Sequence, residues 1–105
     1  MVDQWHKAAR LDEIMPNEML EVTVSDISVC LYNLDGQIYA TAALCTHGEA
    51  SLADGVIIGN EVECPFHQGM FDIRSGAATA APCTEALRTY SVKIEKGEVY
   101  IQMED

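Results

Sequence analysis

Two short motifs concentrate the metal-binding side chains of this chain. Cys45-Thr46-His47 and Cys64-Pro65-Phe66-His67 each set a thiol within three residues of an imidazole. The pattern is C-x-H, sixteen residues, then C-x-x-H. The motifs hold two of the three histidines and two of the four cysteines, so coincidence in turns explains them poorly. Soft thiolate beside imidazole suits iron–sulfur or zinc chemistry. Three sites fit these residues: a two-iron cluster with one iron on cysteines and one on histidines, a Cys₂His₂ zinc site, and a cysteine nucleophile activated by histidine. Zinc fingers usually group two cysteines in one half-motif and two histidines in the other. Here each half mixes them, as expected of two loops that each supply one ligand to each iron. A nucleophile needs one pair and leaves the second without a role. Gly48 and Gly69 follow the histidines closely, where glycine permits a tight turn and brings backbone N–H groups near anionic sulfur.

The elements that must carry these loops read as strands. Leu20, Val22 and Val24 alternate with polar residues, and Ile27, Val29 and Leu31 resume the alternation after a polar break at Ser25-Asp26. A period of two is the strand signal. Asp35-Gly36 predicts a hairpin turn into Ile38 and Ala40. Tyr90, Val92 and Ile94 alternate, Lys96-Gly97 turns the chain, and Val99, Ile101 and Met103 alternate again. One helical turn is expected near Leu11–Ile14, ended by Pro16. Trp5 is expected in the core. Between Ala43 and Pro82 the alternation is broken by Gly48, Gly55, Gly59, Gly69 and Gly76. The expectation is an all-β sandwich or small barrel carrying a loop-rich insert, where binding sites tend to lie.

The chain has 105 residues with 6 Lys/Arg and 17 Asp/Glu, a net charge of −11. This length predicts one domain, residues 1–105, with a core small enough to gain from a metal staple. The acidic balance argues against nucleic-acid binding and equally disfavours an anionic membrane surface. No apolar run nears the roughly 18 residues of a membrane span. Met1–His6 lack the basic flank and apolar stretch of a signal peptide, so the expected compartment is the cytoplasm. The four cysteines are then expected as ligands or buried thiols rather than bridges.

Cys45-Thr46-His47-Gly48 and Cys64-Pro65-Phe66-His67-Gln68-Gly69 resemble the two ligand loops of the Rieske iron–sulfur family. The whole chain resembles a soluble Rieske-type ferredoxin of bacterial aromatic-ring dioxygenase systems. Phe71-Asp72-Ile73 and Gly76 match the segment after the second loop, and Pro82 falls where the family has a third, proline-containing loop. The resemblance implies a Rieske fold with the cluster-binding part at about 43–82 and one [2Fe–2S] cluster. Cys45 and Cys64 would hold the buried iron, His47 and His67 the outer one. The implied role is that of a monomeric one-electron carrier, not an enzyme. It would link a flavoprotein ferredoxin reductase to a terminal oxygenase. A small Rieske subunit of a nitrite reductase-type complex is the nearest alternative, and a zinc-stapled interaction module the alternative of another class.

Charge counting supports electron transfer. Two ferric ions, two sulfides and two thiolates balance to neutrality, whereas a four-thiolate cluster carries two negative charges. Adding an electron to the neutral centre costs less, which fits the range of about −150 to +300 mV for histidine-ligated centres against about −400 mV for plant-type ones. High-potential relatives carry an extra cysteine in each loop, forming a disulfide, and serine and tyrosine donors to sulfur. Here Phe66, Gly69 and Phe71 stand at the second loop's cysteine, serine and tyrosine positions, and the first loop has no extra cysteine. The expectation is a potential near the low end. Cys30 is expected to be an inert strand thiol, Cys83 a neighbour of the site rather than a ligand, and His6 an ordinary surface residue.

Overall fold

The computed structural model describes residues 4–44, 51–65, 69–80 and 85–103. Eleven strands are formed among them: β1 Gln4–Arg10, β2 Met19–Val24, β3 Ile27–Leu34, β4 Gln37–Ala42, β5 Val56–Ile58, β6 Glu61–Glu63, β7 Met70–Asp72, β8 Ala78–Ala80, β9 Thr89–Tyr90, β10 Val92–Glu95 and β11 Glu98–Met103. They make three antiparallel sheets, ordered β1-β11-β10, β2-β3-β4-β9 and β5-β6-β7-β8. The all-β expectation holds, and the predicted helical turn is a 3₁₀ turn at Leu11–Glu13.

β3 explains how the sheets stack. Its Val29 and Leu31 join Val99, Ile101 and Met103 in one apolar cluster. Its Cys30, Tyr32 and Leu34 join Val62, Phe71 and Ile73 in another. Alternate residues of a strand point to opposite faces, so the β2-β3-β4-β9 sheet is the middle layer, covered on both sides. The β5–β8 sheet occupies one side and the β1-β11-β10 sheet the other. Tight hairpins fix the register. Asp35-Gly36 and Lys96-Gly97 have positive φ at both residues, the geometry that matches strand twist in two-residue turns. Ser25 and Asp26 have φ of 51° and 66°, and Val24 pairs with Ile27. The polar break is therefore a third two-residue hairpin, built without glycine.

Trp5 does not enter the core. It is 38% exposed, with Lys93 Nζ 4.7 Å from its ring centroid. Its place on β1 turns it to the outer face of the sheet, where a cation over the ring and apolar contact with the lysine stem replace core packing. His6 is half-buried on the same strand, paired with Ile101. The region 43–82 also holds more regular structure than its glycines suggest: four strands of three residues each. Three residues are too few to display a period of two.

Candidate metal centre

Each motif lies at the end of a pinned stem. For the first, Leu44 and Ser51 form an antiparallel bridge, and Leu52 N donates to Ala43 O at 2.7 Å. Ser51 Oγ donates to Glu21 Oε1 at 2.6 Å and accepts from Ala53 N, capping the 3₁₀ turn Leu52–Asp54. For the second, Glu63 pairs with Met70, and Cys64 N donates to Gly69 O at 2.7 Å. Cys64 thus stands at the end of β6 and Gly69 at the start of β7.

The two stems converge. Ala43 and Leu52 of the first belong to the same buried cluster as Cys64 and Phe71 of the second. Gly55, on the exit of the first stem, makes the closest approach. A Cβ there would stand 1.9 Å from the Glu63 carbonyl oxygen, immediately before Cys64. Its φ of −90° is ordinary, so glycine is required by space rather than by conformation.

A third segment returns to the same stems. Ala80 pairs with Met70, and after residues 81–84 the chain comes back to Leu87, whose N donates to Gly76 O. Gly76 has φ +81°, and a Cβ there would lie 2.4 Å from Leu87 O. Asp72 Oδ1 accepts from Arg74 N and Ser75 N, and Gly76 N donates to Asp72 O. The Phe71-Asp72-Ile73…Gly76 segment is therefore a clamp that fastens the return of the third segment to the β7–β8 hairpin.

Of the four expected ligands, Cys64 is described and buried, 1% exposed. Cys45, His47 and His67 lie outside the described residues, as do Pro82 and Cys83. Among the described residues no three His, Cys, Asp or Glu side chains gather to hold a metal. Cys64 follows β6 directly, at the point where the chain leaves the buried cluster. Cys30 is fully buried in the same cluster. Burial pushes its thiol from 9.0 to about 12, which leaves it protonated and unreactive, as expected. Tyr32 beside it is buried, with its hydroxyl 2.8 Å from Thr41 Oγ1, and burial raises its phenol as well. The contributions of Gly55, Ser51, Glu21 and Leu87 escaped sequence reading; Gly55 was visible only as one more glycine in an irregular stretch.

Charge is unevenly spread. Lys7, Arg10, Lys93 and Lys96, four of the six Lys/Arg, lie on or beside the β1-β11-β10 sheet. Asp12, Glu13, Glu95 and Glu98 balance them there, with Lys7–Glu98 at 3.0 Å and Arg10–Asp12 at 2.9 Å. A cleft of about 770 Å³ lined by Lys7, Arg10, Asp12 and Glu98 belongs to this sheet and not to the convergent stems. The other two sheets carry the acidic excess among the described residues.

The fold is a small layered β-protein in which the stems flanking both Cys/His motifs meet on one buried cluster, as in a metal-centre domain. The Rieske [2Fe-2S] domain model matches residues 4–91, and the chain belongs to this family. It is 46% identical over 103 residues to the ferredoxin component of the naphthalene 1,2-dioxygenase system of Pseudomonas putida, covering 98% of this chain and 99% of that one. The Sphingomonas yanoikuyae B1 ferredoxin superposes with a TM-score of 0.92 at 39% identity, over 96% of this chain and 100% of the other. A chain in the complex of reduced oxygenase and oxidized ferredoxin in carbazole 1,9a-dioxygenase has a TM-score of 0.87 at 37% identity, over 92% and 91%. The cofactor is a Rieske [2Fe–2S] cluster. The chain is an electron-transfer component and not a catalytic oxygenase. Among the described residues no helix is long and apolar enough to cross a membrane.

Proposed function

We propose that this chain is the cytoplasmic ferredoxin of an aromatic-ring dioxygenase system. It takes electrons singly from a flavoprotein ferredoxin reductase and delivers them to a terminal oxygenase. The observation that carries the reading is the convergence of the two Cys/His stems on one buried cluster around Cys64. Cys45 and Cys64 would hold the inner iron, and His47 and His67 the outer one. When bound, the cluster supplies a reversible one-electron site whose neutral oxidised charge favours reduction over that of a four-thiolate centre.

The chain's own residues do the rest. Leu52, Val62 and Phe71, all fully buried, exclude water behind Cys64. The Cys64 N–H is committed to Gly69 O, which fixes where the second loop leaves the core. Gly69 and Phe71 offer no hydroxyl to sulfur, which supports a potential at the lower end of about −150 to +300 mV. The acidic excess attracts partners with cationic contact patches. The test is reconstitution. Purified aromatic-ring dioxygenase and its reductase, given NADH and naphthalene, should form product only when this chain is added. Equal product without it, or none with it while the cognate ferredoxin works, would contradict the assignment.

A further inference from the structure

The outer face of the β5-β6-β7 sheet has a composition that the core does not explain. Ile57, Val62 and Phe71 point inward to the buried cluster. The residues between them point outward and pair in two rows: Val56 with Glu63 with Met70, and Ile58 with Glu61 with Asp72. Val56 and Ile58 are each 51% exposed, on an edge strand. Glu61 stands directly opposite Asp72, and like charges so placed destabilise a sheet. Asp72 has Arg74 at 3.9 Å; neither Glu61 nor Glu63 has an ion-pair partner among the described residues. Single exposed apolar residues are ordinary, but an apolar strip interleaved with unneutralised carboxylates costs stability without serving the core. The first row adjoins Cys64.

We propose that this face is a lateral docking surface for the terminal oxygenase, meeting an apolar patch ringed by Lys and Arg. The inference rests on the carrier reading and extends its contact beyond the ligand loops to the flank of the sheet. Val56, Ile58 and Met70 supply the apolar contact, and Glu61 and Glu63 the charge that cationic side chains would neutralise. The oxygenase is the chosen partner because a structural relative of this chain occurs in complex with one. Electrostatic pairs at a rim act on encounter rate and its salt dependence, and apolar contacts on residence time.

The experiment is anaerobic rapid mixing of the reduced, cluster-loaded chain with oxidised oxygenase over a range of concentrations and salt. Glu61→Gln/Glu63→Gln and Val56→Ser/Ile58→Ser should each raise the half-saturating concentration by about fivefold or more with the limiting rate unchanged. The first should also flatten the salt dependence, and the second should not. Visible spectra and midpoint potentials are recorded for every variant; the Val/Ile pair, which changes no charge, decides the matter if the Glu pair shifts the potential. Glu18→Gln/Asp35→Asn, an equal charge change on the middle sheet's connections, should cost less than about twofold. Wild-type kinetics in both face variants, an equal loss in the control, or a loss confined to reduction by the reductase would overturn the proposal. Wild-type chain that fails to reduce any oxygenase would instead sink the carrier reading, and the docking surface with it.

Discussion

Replacing Gly55 with alanine tests whether the two loop stems are held in register by direct backbone contact. The new Cβ would lie 1.9 Å from the Glu63 carbonyl oxygen and 3.1 Å from its carbon, against 3.4–4 Å for ordinary contact. The obstacle is backbone, so it cannot rotate away. Relief needs a stem displacement on the order of 1.5 Å, and overpacking of this kind costs about 1–3 kcal/mol. The φ of −90° suits alanine, so the unfolded-state gain of about 0.4–1 kcal/mol for Gly→Ala works against the clash. The net loss is at most about 2.6 kcal/mol, and a backbone clash this close places it in the upper half of that range, a fall in Tm of roughly 5–20 °C for a domain of this size. Because the strain falls beside Cys64, visible absorption should also fade faster on heating with chelator. Gly59→Asn is the control: its φ is +63° with nothing within 4 Å of a Cβ, and asparagine tolerates that conformation. It should stay within about 1 kcal/mol of wild type. A Gly55→Ala protein with unchanged Tm and unchanged cluster lifetime would refute the close approach.

Ligand variants should divide cleanly: Cys45→Ser and Cys64→Ser should lose iron and acid-labile sulfide, whereas Cys30→Ala and Cys83→Ala should keep both. The Cys30 thiol, raised from 9.0 to about 12, stays protonated in the folded chain where the unfolded chain releases its proton. Its stabilising effect is full below pH 9.0 and is lost as pH rises toward 12, at up to about 1.4 kcal/mol per pH unit. Urea unfolding from about pH 8 to pH 10 should therefore show a flatter decline for Cys30→Ala than for wild type; parallel slopes would contradict the buried, protonated thiol. Gly69→Ser/Phe71→Tyr should raise the midpoint potential by tens of millivolts for each hydroxyl that reaches sulfur, since a hydrogen bond to a charged acceptor contributes about 1.5–3 kcal/mol and only part of it distinguishes the redox states. A redox titration read beside a crystal structure of the variant settles it, and bonded hydroxyls with no rise would show that their absence does not set the potential.

The sequence made the long strands and their turns legible because each is several residues long and amphipathic, or closed by Asp35-Gly36 or Lys96-Gly97. It hid the β5–β8 sheet, whose strands are too short for periodicity. It also misplaced Trp5, because an aromatic on the outer face of the β1-β11-β10 sheet stacks with Lys93 instead of entering the core. At the site, residue types and spacing single out Cys45, His47, Cys64 and His67 as the expected ligands, of which only Cys64 lies among the described residues. What spacing could not convey was the support: the close approach of Gly55 to Glu63, the Ser51–Glu21 bond and the return of Leu87 to Gly76. Each joins residues distant in sequence through backbone atoms, and backbone contacts leave little trace in side-chain identity beyond an occasional glycine.

The proposed function stands on a [2Fe–2S] cluster held by two thiolates and two imidazoles from the paired loops. Pulsed electron–nuclear double resonance on the reduced protein, prepared with ¹⁵N-histidine, addresses it most directly. Strong coupling to two histidine nitrogens is expected, with one lost in each of the variants His47→Cys and His67→Cys. A reduced cluster with no histidine nitrogen coupled to it, or stoichiometric zinc in place of iron, would rule out this ligand set.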